Sequence, residues 1–335
     1  MIARAFGTVP TAYHPRRRGG SRCALPANRI AMPPRPTLLC LGHAAFDLIY
    51  RIPAFPARPM KVPASSLVIS GGGMASNAAC AIARLGGDVR FAGVVGDDVF
   101  GALVAEDLTR HGVAIGHLAK VEGASTSVSS IVVDAAGERL IINHRGSALD
   151  AAAPDFSTAV TGIAVLLCDV RWPRGARAAF AAARAAGVPS VLDADVAAPE
   201  LLAELAQLAD HVVFSEPGFA CWAGHAADAA NASDWLQSLV SAGCALAAVT
   251  LGERGVLYAT PRGIARHPAF AVDAVETLGA GDVFHGAYAL ALAEGAAIDD
   301  ALRFAAAAAA EKCRRSGGRA ALPSRADVDA RMQIR

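Results

Sequence analysis

No stretch of about 18 strongly apolar residues occurs in the 335-residue chain, so nothing in it reads as a membrane-spanning helix. Charge of one sign is equally lacking. Its 31 Lys and Arg stand against 30 Asp and Glu, a formal net charge of +1, without the concentrated basic surface that nucleic acid or an anionic membrane requires. The seven cysteines (Cys23, Cys40, Cys80, Cys168, Cys221, Cys244, Cys313) fall singly, with no CxxC spacing and an odd total. That pattern excludes a disulfide framework and suits buried free thiols in a reducing cytoplasm. Lysine is scarce, occurring only at positions 61, 120 and 312. There is no internal repeat and no Walker A sequence, which excludes an ordinary P-loop NTPase. A small molecule is the partner these absences leave.

What is present is apolar and regular. Hydrophobic residues make up 54% of the chain, with a mean hydropathy of +0.37, enough for a sizeable core. Residues 1–35 differ, being rich in Arg, Pro and Gly with no apolar period, and are expected to form a disordered N-terminal extension. No apolar core of a secretory signal follows their arginines, and Met32 is a candidate start. From residue 36 to about 330 short apolar runs at 38–41, 89–96, 165–170, 190–196, 211–214 and 245–252 read as buried strands. Helical spacing at 75–85, 100–111, 176–186, 201–208 and 235–242 separates them. This alternation predicts a mostly parallel sheet covered on both faces. Two segments break the rhythm, about 48–70 with its four prolines and about 125–145, whose runs 130–133 and 139–142 flank an Asp134–Gly137 turn. They are expected to form antiparallel strands that meet as a small lid over a cleft. A hairpin at 256–270 and helices at 283–293 and 298–314 close the pattern.

The strongest chemical signal is Glu276-Thr277-Leu278-Gly279-Ala280-Gly281-Asp282, a small-residue turn opening into an apolar helix. Such a turn presents bare amides at a helix N-terminus, where the macrodipole also favours negative charge. Asp282 in the first turn would lie beside a phosphate held there, the pairing that phosphoryl transfer needs: amides for the developing charge and a carboxylate for the nucleophile's proton. Alone, the turn also suits an ordinary N-cap. A second glycine cluster, Gly71-Gly72-Gly73-Met74-Ala75-Ser76-Asn77, opens an earlier helix, and Val95-Gly96-Asp97-Asp98-Val99-Phe100-Gly101 follows the next strand.

In kind, order and spacing, these segments resemble the ribokinase-like (PfkB-type) carbohydrate kinases over nearly all of residues 37–325. The resemblance implies an α/β three-layer sandwich with a mostly parallel central sheet and a small antiparallel β lid. It implies a kinase using ATP and Mg²⁺, admits a monovalent cation, and allows a homodimer through the lid. Carried over by position, Asp47, Gly72, Gly73 and Asn77 resemble ligands of the sugar. Asp282 resembles the base, and Gly279, Ala280 and Gly281 the anion hole. Thr250, Gly252 and Gly255 resemble the nucleotide-binding strand end. Two departures are visible: Glu276-Thr277-Leu278 stands where DTT is usual, and Ser215-Glu216-Pro217-Gly218 where NxxE is usual, leaving Glu216 as the candidate metal residue.

Several further stretches resemble the sulfofructose kinase branch: Cys168-Asp169-Val170-Arg171-Trp172, Phe214 to Gly218, Lys312 to Arg319, Ile141-Ile142-Asn143 and Asp282 to Gly286. That branch phosphorylates the 1-hydroxyl of 6-deoxy-6-sulfofructose, so the resemblance implies a cationic pocket one hexose away from Asp282. Lys61, Asn143 and Arg171 are its candidates, Lys61 through the rarity of lysine. A Lys/Arg pocket accepts phosphate or carboxylate as readily, so a sugar phosphate, a keto-acid sugar such as keto-deoxygluconate, and plain fructose or ribose stay open as acceptors. A nucleoside kinase would want stacking aromatics in the lid, where Tyr50 is the only tyrosine or tryptophan. A sugar or nucleotide sensor of the same fold would not need an intact GAGD.

Overall fold

A computed structural model describes residues 35–147, 155–227 and 231–333; the expected extension at 1–34 lies outside the described residues. The interior of the large sheet is built from the runs that are apolar at every position. Strands β1 (Thr37–Gly42), β4 (Asp88–Gly96), β8 (Val165–Asp169), β9 (Ser190–Ala194), β10 (His211–Ser215) and β11 (Leu246–Thr250) lie side by side and parallel. Burial on both faces is what removes the polar alternation from these strands. Leu38 and Cys40 of β1 point into one apolar layer, Leu39 and Leu41 into the other. β12 (Val256–Thr260) and β13 (Gly263–His267) extend one side as a hairpin, and β5 (Ala114–Val121) forms the opposite edge.

Helices α1 (Met74–Arg84), α2 (Val99–Arg110), α7 (Ala280–Ala293) and α8 (Ile298–Cys313) supply the first layer. Helices α3 (Pro173–Ala186), α4 (Pro199–Ala206), α5 (Glu216–Ala223) and α6 (Asn231–Ser241) supply the second. The chain closes with α9 (Arg325–Met332), whose start is a capping box between Ser324 and Asp327. Three elements had no apolar run or period long enough to be read from the sequence. β5 is an edge strand interrupted by Gly116, His117 and Lys120 and mostly solvent-facing. α5 is a two-turn helix set by the Ser215 side chain, which accepts from the Gly218 amide at 3.0 Å. α9 is a short, polar helix.

The lid is a separate four-stranded sheet, β3 (Ser66–Gly72), β2 (Ala45–Arg51), β6 (Ser127–Val133) and β7 (Arg139–His144), in that order. Its outer pairs β2/β3 and β6/β7 are antiparallel, as expected, but the two middle strands β2 and β6 run parallel. Each leaves the carboxyl edge of the large sheet, β2 after β1 and β6 after β5, so both point the same way. Register aligns Ser70, Asp47, Ser129 and Asn143 in one row across all four strands. Residues opposite one another in a sheet share a face, so this row is a polar band on an otherwise apolar lid. Among the described residues no helix is long and apolar enough to cross a membrane, and Cys40, Cys80, Cys168, Cys221, Cys244 and Cys313 are free thiols.

Candidate active site

The GAGD turn lies where its small residues require. Gly279 takes a left-handed backbone (φ 75°) as the N-cap of α7, a conformation glycine adopts without penalty. Of the amides expected to form the anion hole, that of Ala280 folds back onto the Thr277 carbonyl at 3.2 Å. Those of Gly281 and Asp282 stand in the first turn, where a helix has no internal acceptors for its N–H groups. Asp282 sits at the third helical position and its carboxylate faces the cleft.

Asp282 accepts a 2.7 Å hydrogen bond from the Asn77 side-chain amide. Burial pushes its carboxyl up to about 7, the negative charge of Asp193 adds to that, and the Asn77 bond and His285 oppose it. The Asn77 carbonyl in turn accepts from Arg319 Nε at 2.9 Å. Arg319 is almost wholly buried. Its remaining guanidinium nitrogens reach Asp107 (2.5 Å), Ser76 Oγ (2.6 Å) and the Gly72 carbonyl (3.1 Å). One buried fork therefore ties α1 and α2 to the carboxylate on α7.

The glycine run before α1 makes room for these groups. A Cβ at Gly71 would overlap the Arg319 guanidinium and Asp107, one at Gly72 the Asp47 carboxylate, and one at Gly73 the His43 carbonyl. Asp47, Ser70, Asn77, Leu278, Asp282 and Lys312 line one cleft between the lid and the N-terminus of α7. Burial raises the Asp47 carboxyl above its ordinary value, against a lowering hydrogen bond from Ser129. Asn143 donates to Ser129 Oγ at 3.1 Å, continuing the band away from Asp282.

The other expected residues are spread along the carboxyl edge of the large sheet. Thr250 ends β11 with its hydroxyl on the Phe214 carbonyl (3.2 Å), and Gly252 and Gly255 bound the turn that follows. Glu216, the metal candidate, is ion-paired with Arg254 on an exposed rim. Among the described residues no three His, Cys, Asp or Glu side chains gather as a metal cage, an arrangement that a magnesium held by one or two carboxylates and phosphate oxygens would not need. Arg171 follows β8 and is bound to Asp195 (3.0 Å) and the Val196 carbonyl (3.0 Å). Lys61 is exposed on the irregular segment between β2 and β3 and does not line the cleft.

Residues 35–325 match the family model described as pfkB family carbohydrate kinase. The chain belongs to this family. A curated relative, the ATP-dependent ribose-1-phosphate kinase of Halopiger xanaduensis, is 31% identical over 298 residues, covering 85% of this chain and 94% of its own. A crystal structure from Agrobacterium tumefaciens, provisionally titled a ribokinase, superposes with a TM-score of 0.85 at 34% identity, covering 90% of this chain and 98% of that one. The Arabidopsis thaliana ribokinase solved with ribose and ATP superposes at 0.75 with 25% identity, covering 90% and 99%. As a pfkB-family carbohydrate kinase the protein is a phosphotransferase with a hydroxyl acceptor.

Several side chains placed at this kinase's cleft were not singled out individually from the sequence. Lys312, near the end of α8, is 2% exposed in its side chain and lies 3.5 Å from Glu276, which also pairs with Arg51 of the lid at 2.8 Å. Rarity drew attention to Lys61, yet the lysine on the cleft wall is Lys312. A charged residue ending the Ala-rich run 305–310 was the available signal. Arg319 and Asp107 meet across 212 positions, which no local pattern announces. Ser129 is visible only through strand register.

Proposed function

We propose that the protein is an ATP-dependent sugar kinase that transfers the γ-phosphoryl group to a primary hydroxyl of a ketohexose. The observation that carries this reading is the meeting of Asp282 with the polar band of the lid at one cleft. A sugar lying along Ser70, Asp47, Ser129 and Asn143 presents its hydroxyls to carboxylate, hydroxyl and amide partners, the groups that bind polyols by hydrogen bonding. The hydroxyl nearest Asp282 gives its proton to that carboxylate as its oxygen attacks the γ-phosphorus, and the bond from that phosphorus to the β,γ-bridging oxygen breaks to release ADP. The Gly281 and Asp282 amides at the helix end meet the charge on the transferring group. The nucleotide lies along Thr250, Gly252 and Gly255, at the carboxyl edge where ligands of open α/β sheets bind. A magnesium ion bound with the nucleotide would supply positive charge to the phosphates while needing few protein ligands.

The finer reading is 6-deoxy-6-sulfofructose as acceptor, phosphorylated at its 1-hydroxyl, with Lys61, Asn143 and Arg171 at the sulfonate. Asn143 supports it by extending the band away from Asp282. Lys61 supports it as a lid cation with no ion-pair partner among the described residues. Arg171 requires the anion to compete with Asp195. A coupled assay over sulfofructose, fructose, fructose 6-phosphate, ribose and adenosine identifies the acceptor. Lys61→Ala and Arg171→Ala are each expected to lower kcat/KM for sulfofructose about tenfold or more, as loss of a charge-assisted hydrogen bond does, with little effect on fructose. Equal losses on both sugars would end the anionic-pocket reading.

The raised Asp282 carboxyl sets a pH dependence. The base works ionised, so kcat/KM is expected to fall as pH drops through about 7. A profile flat from pH 8 to about 5, well below that value, would remove Asp282 as the base.

The lid also supports a homodimer. Leu140, Ile141 and Ile142 on β7 and Leu67 and Ile69 on β3 are all exposed, with Ile142 61% and Ile69 60% accessible. Exposed apolar edge strands of this kind are ordinarily covered. Sedimentation is expected to show a dimer that Ile142→Asp weakens.

A further inference from the structure

His285 lies one turn beyond Asp282, beneath the cleft floor, and is 2% exposed. Its Nδ1 is 2.7 Å from the Gly281 carbonyl oxygen and its Nε2 is 3.1 Å from the Val213 carbonyl oxygen of β10. Both neighbours are acceptors only. A neutral imidazole donates from one nitrogen and would turn the lone pair of the other onto a carbonyl oxygen. Only the imidazolium makes both bonds.

Acidic side chains surround the ring. Asp193 of β9 lies 3.4 Å from Nδ1, and Asp195, just beyond that strand, faces the same ring together with Asp282 on its own helix. Asp169 of β8 stands beside Asp193, Arg171 is bound to Asp195, and burial with the charges of Asp195 and Asp169 pushes the Asp193 carboxyl well above its ordinary value. Burial by itself drives an imidazole toward the neutral form. Burial prevails and holds the imidazole below its ordinary value despite the two carbonyls and the carboxylates of Asp282 and Asp195, so the charged form rests on the two acceptors that face its nitrogens.

We propose that His285 is held as a buried imidazolium that acts as a positioning residue for the transfer, fixing the Gly281–Asp282 peptide and keeping Asp282 ionised as the resting base. The geometric part is direct. The carbonyl held by Nδ1 belongs to the peptide whose N–H is that of Asp282, so anchoring one end orients the other toward the phosphate. The electrostatic part follows from position. Asp282 faces Asp193 and Asp195 in a desolvated site, and a cation one helical turn away offsets that repulsion.

The second part rests on Asp282 being the base, whereas the charge state does not, and the test separates them. In the full-length protein labelled with ¹⁵N-histidine, the His285 ring, assigned by its absence in His285→Gln, is expected to show two protonated nitrogens at pH 7.5 without any ligand. A non-protonated nitrogen there overturns the proposal. Should His285→Gln fail to fold, correlations across the hydrogen bonds to the Gly281 and Val213 carbonyls identify the ring in the wild-type protein. In folded His285→Gln or His285→Asn, the acid limb of kcat/KM is expected to move up by about one pH unit, with most activity regained at alkaline pH. A loss equal at all pH values, beside an imidazolium in the wild type, overturns the coupling to Asp282 and leaves His285 a structural residue.

Discussion

Asp282→Asn is expected to lower kcat by about 10²–10⁴-fold, the range that removal of a positioned general base produces. The amide keeps the shape of the carboxyl and can still accept from the Asn77 side chain through its own carbonyl oxygen, so the pocket survives while the proton acceptor is lost. Nucleotide affinity, measured by calorimetry, is expected to stay within about threefold because the amides at the start of α7 are backbone groups. The same variant is expected to unfold at a higher temperature than the wild type at neutral pH. The sign follows from linkage. A carboxyl lifted on folding from 3.8 to about 7 stabilises the native state fully only below its unfolded value, and that contribution disappears as pH rises through 7. Above that pH the native state bears the cost of a desolvated charge, which asparagine does not carry. Wild-type turnover in Asp282→Asn would remove Asp282 from the chemistry. A lower melting temperature would show that its charge stabilises the fold.

Arg319→Ala is expected to cost about 3–5 kcal/mol of stability, because it leaves Asp107 a largely buried carboxylate with only the more distant Arg110 (3.8 Å) and His111 (3.6 Å) beside it, and takes one donor each from Asn77, Ser76 and the Gly72 carbonyl. Lysine does not substitute well, since a point charge cannot reach four partners arranged around a planar fork. Denaturant midpoints measure the loss. Arg319→Met combined with Asp107→Leu is expected to recover a large part of it, as apolar replacement of a whole buried pair often does. That double variant is still expected to have a depressed kcat, because Asn77 loses the bond that aims it at Asp282. Full activity in the double variant would show that Asn77 needs no such support, and a single-variant cost below about 1 kcal/mol would show that water replaces the fork.

Legibility in the sequence followed the range of the interaction. The GAGD turn, the Gly71–Gly73 run and the buried strands were readable because each is demanded by its own neighbours: small residues where backbone comes close, and continuous apolar runs where both faces are covered. β5 and α5 were not, one being an edge strand with solvent on it and the other a two-turn helix held by a cap. Asp47 was visible by its position after Gly42, but its alignment with Ser129 and Asn143 was not. Arg171 was a candidate for an anionic pocket and Glu216 for a metal, and the fold brings Asp195 and Arg254 against them. Ala280 was grouped with its neighbours as an anion-hole amide, and its N–H bonds Thr277 within the turn.

By itself, then, the sequence determined the alternation of strand and helix, the family, and the GAGD turn that opens a helix beside the Asp282 carboxylate, all consequences of backbone geometry written over a few consecutive residues. The tertiary structure alone decided which charges are available. It joined Arg319 to Asn77 across 242 positions, placed Lys312 rather than Lys61 on the cleft wall, set His285 between two carbonyls, and drew Asp282 into a setting that lifts its carboxyl to about 7. Local patterns carry conformation because sterics act between neighbours, whereas the charge state of a site depends on burial and on partners that only the assembled fold brings within reach.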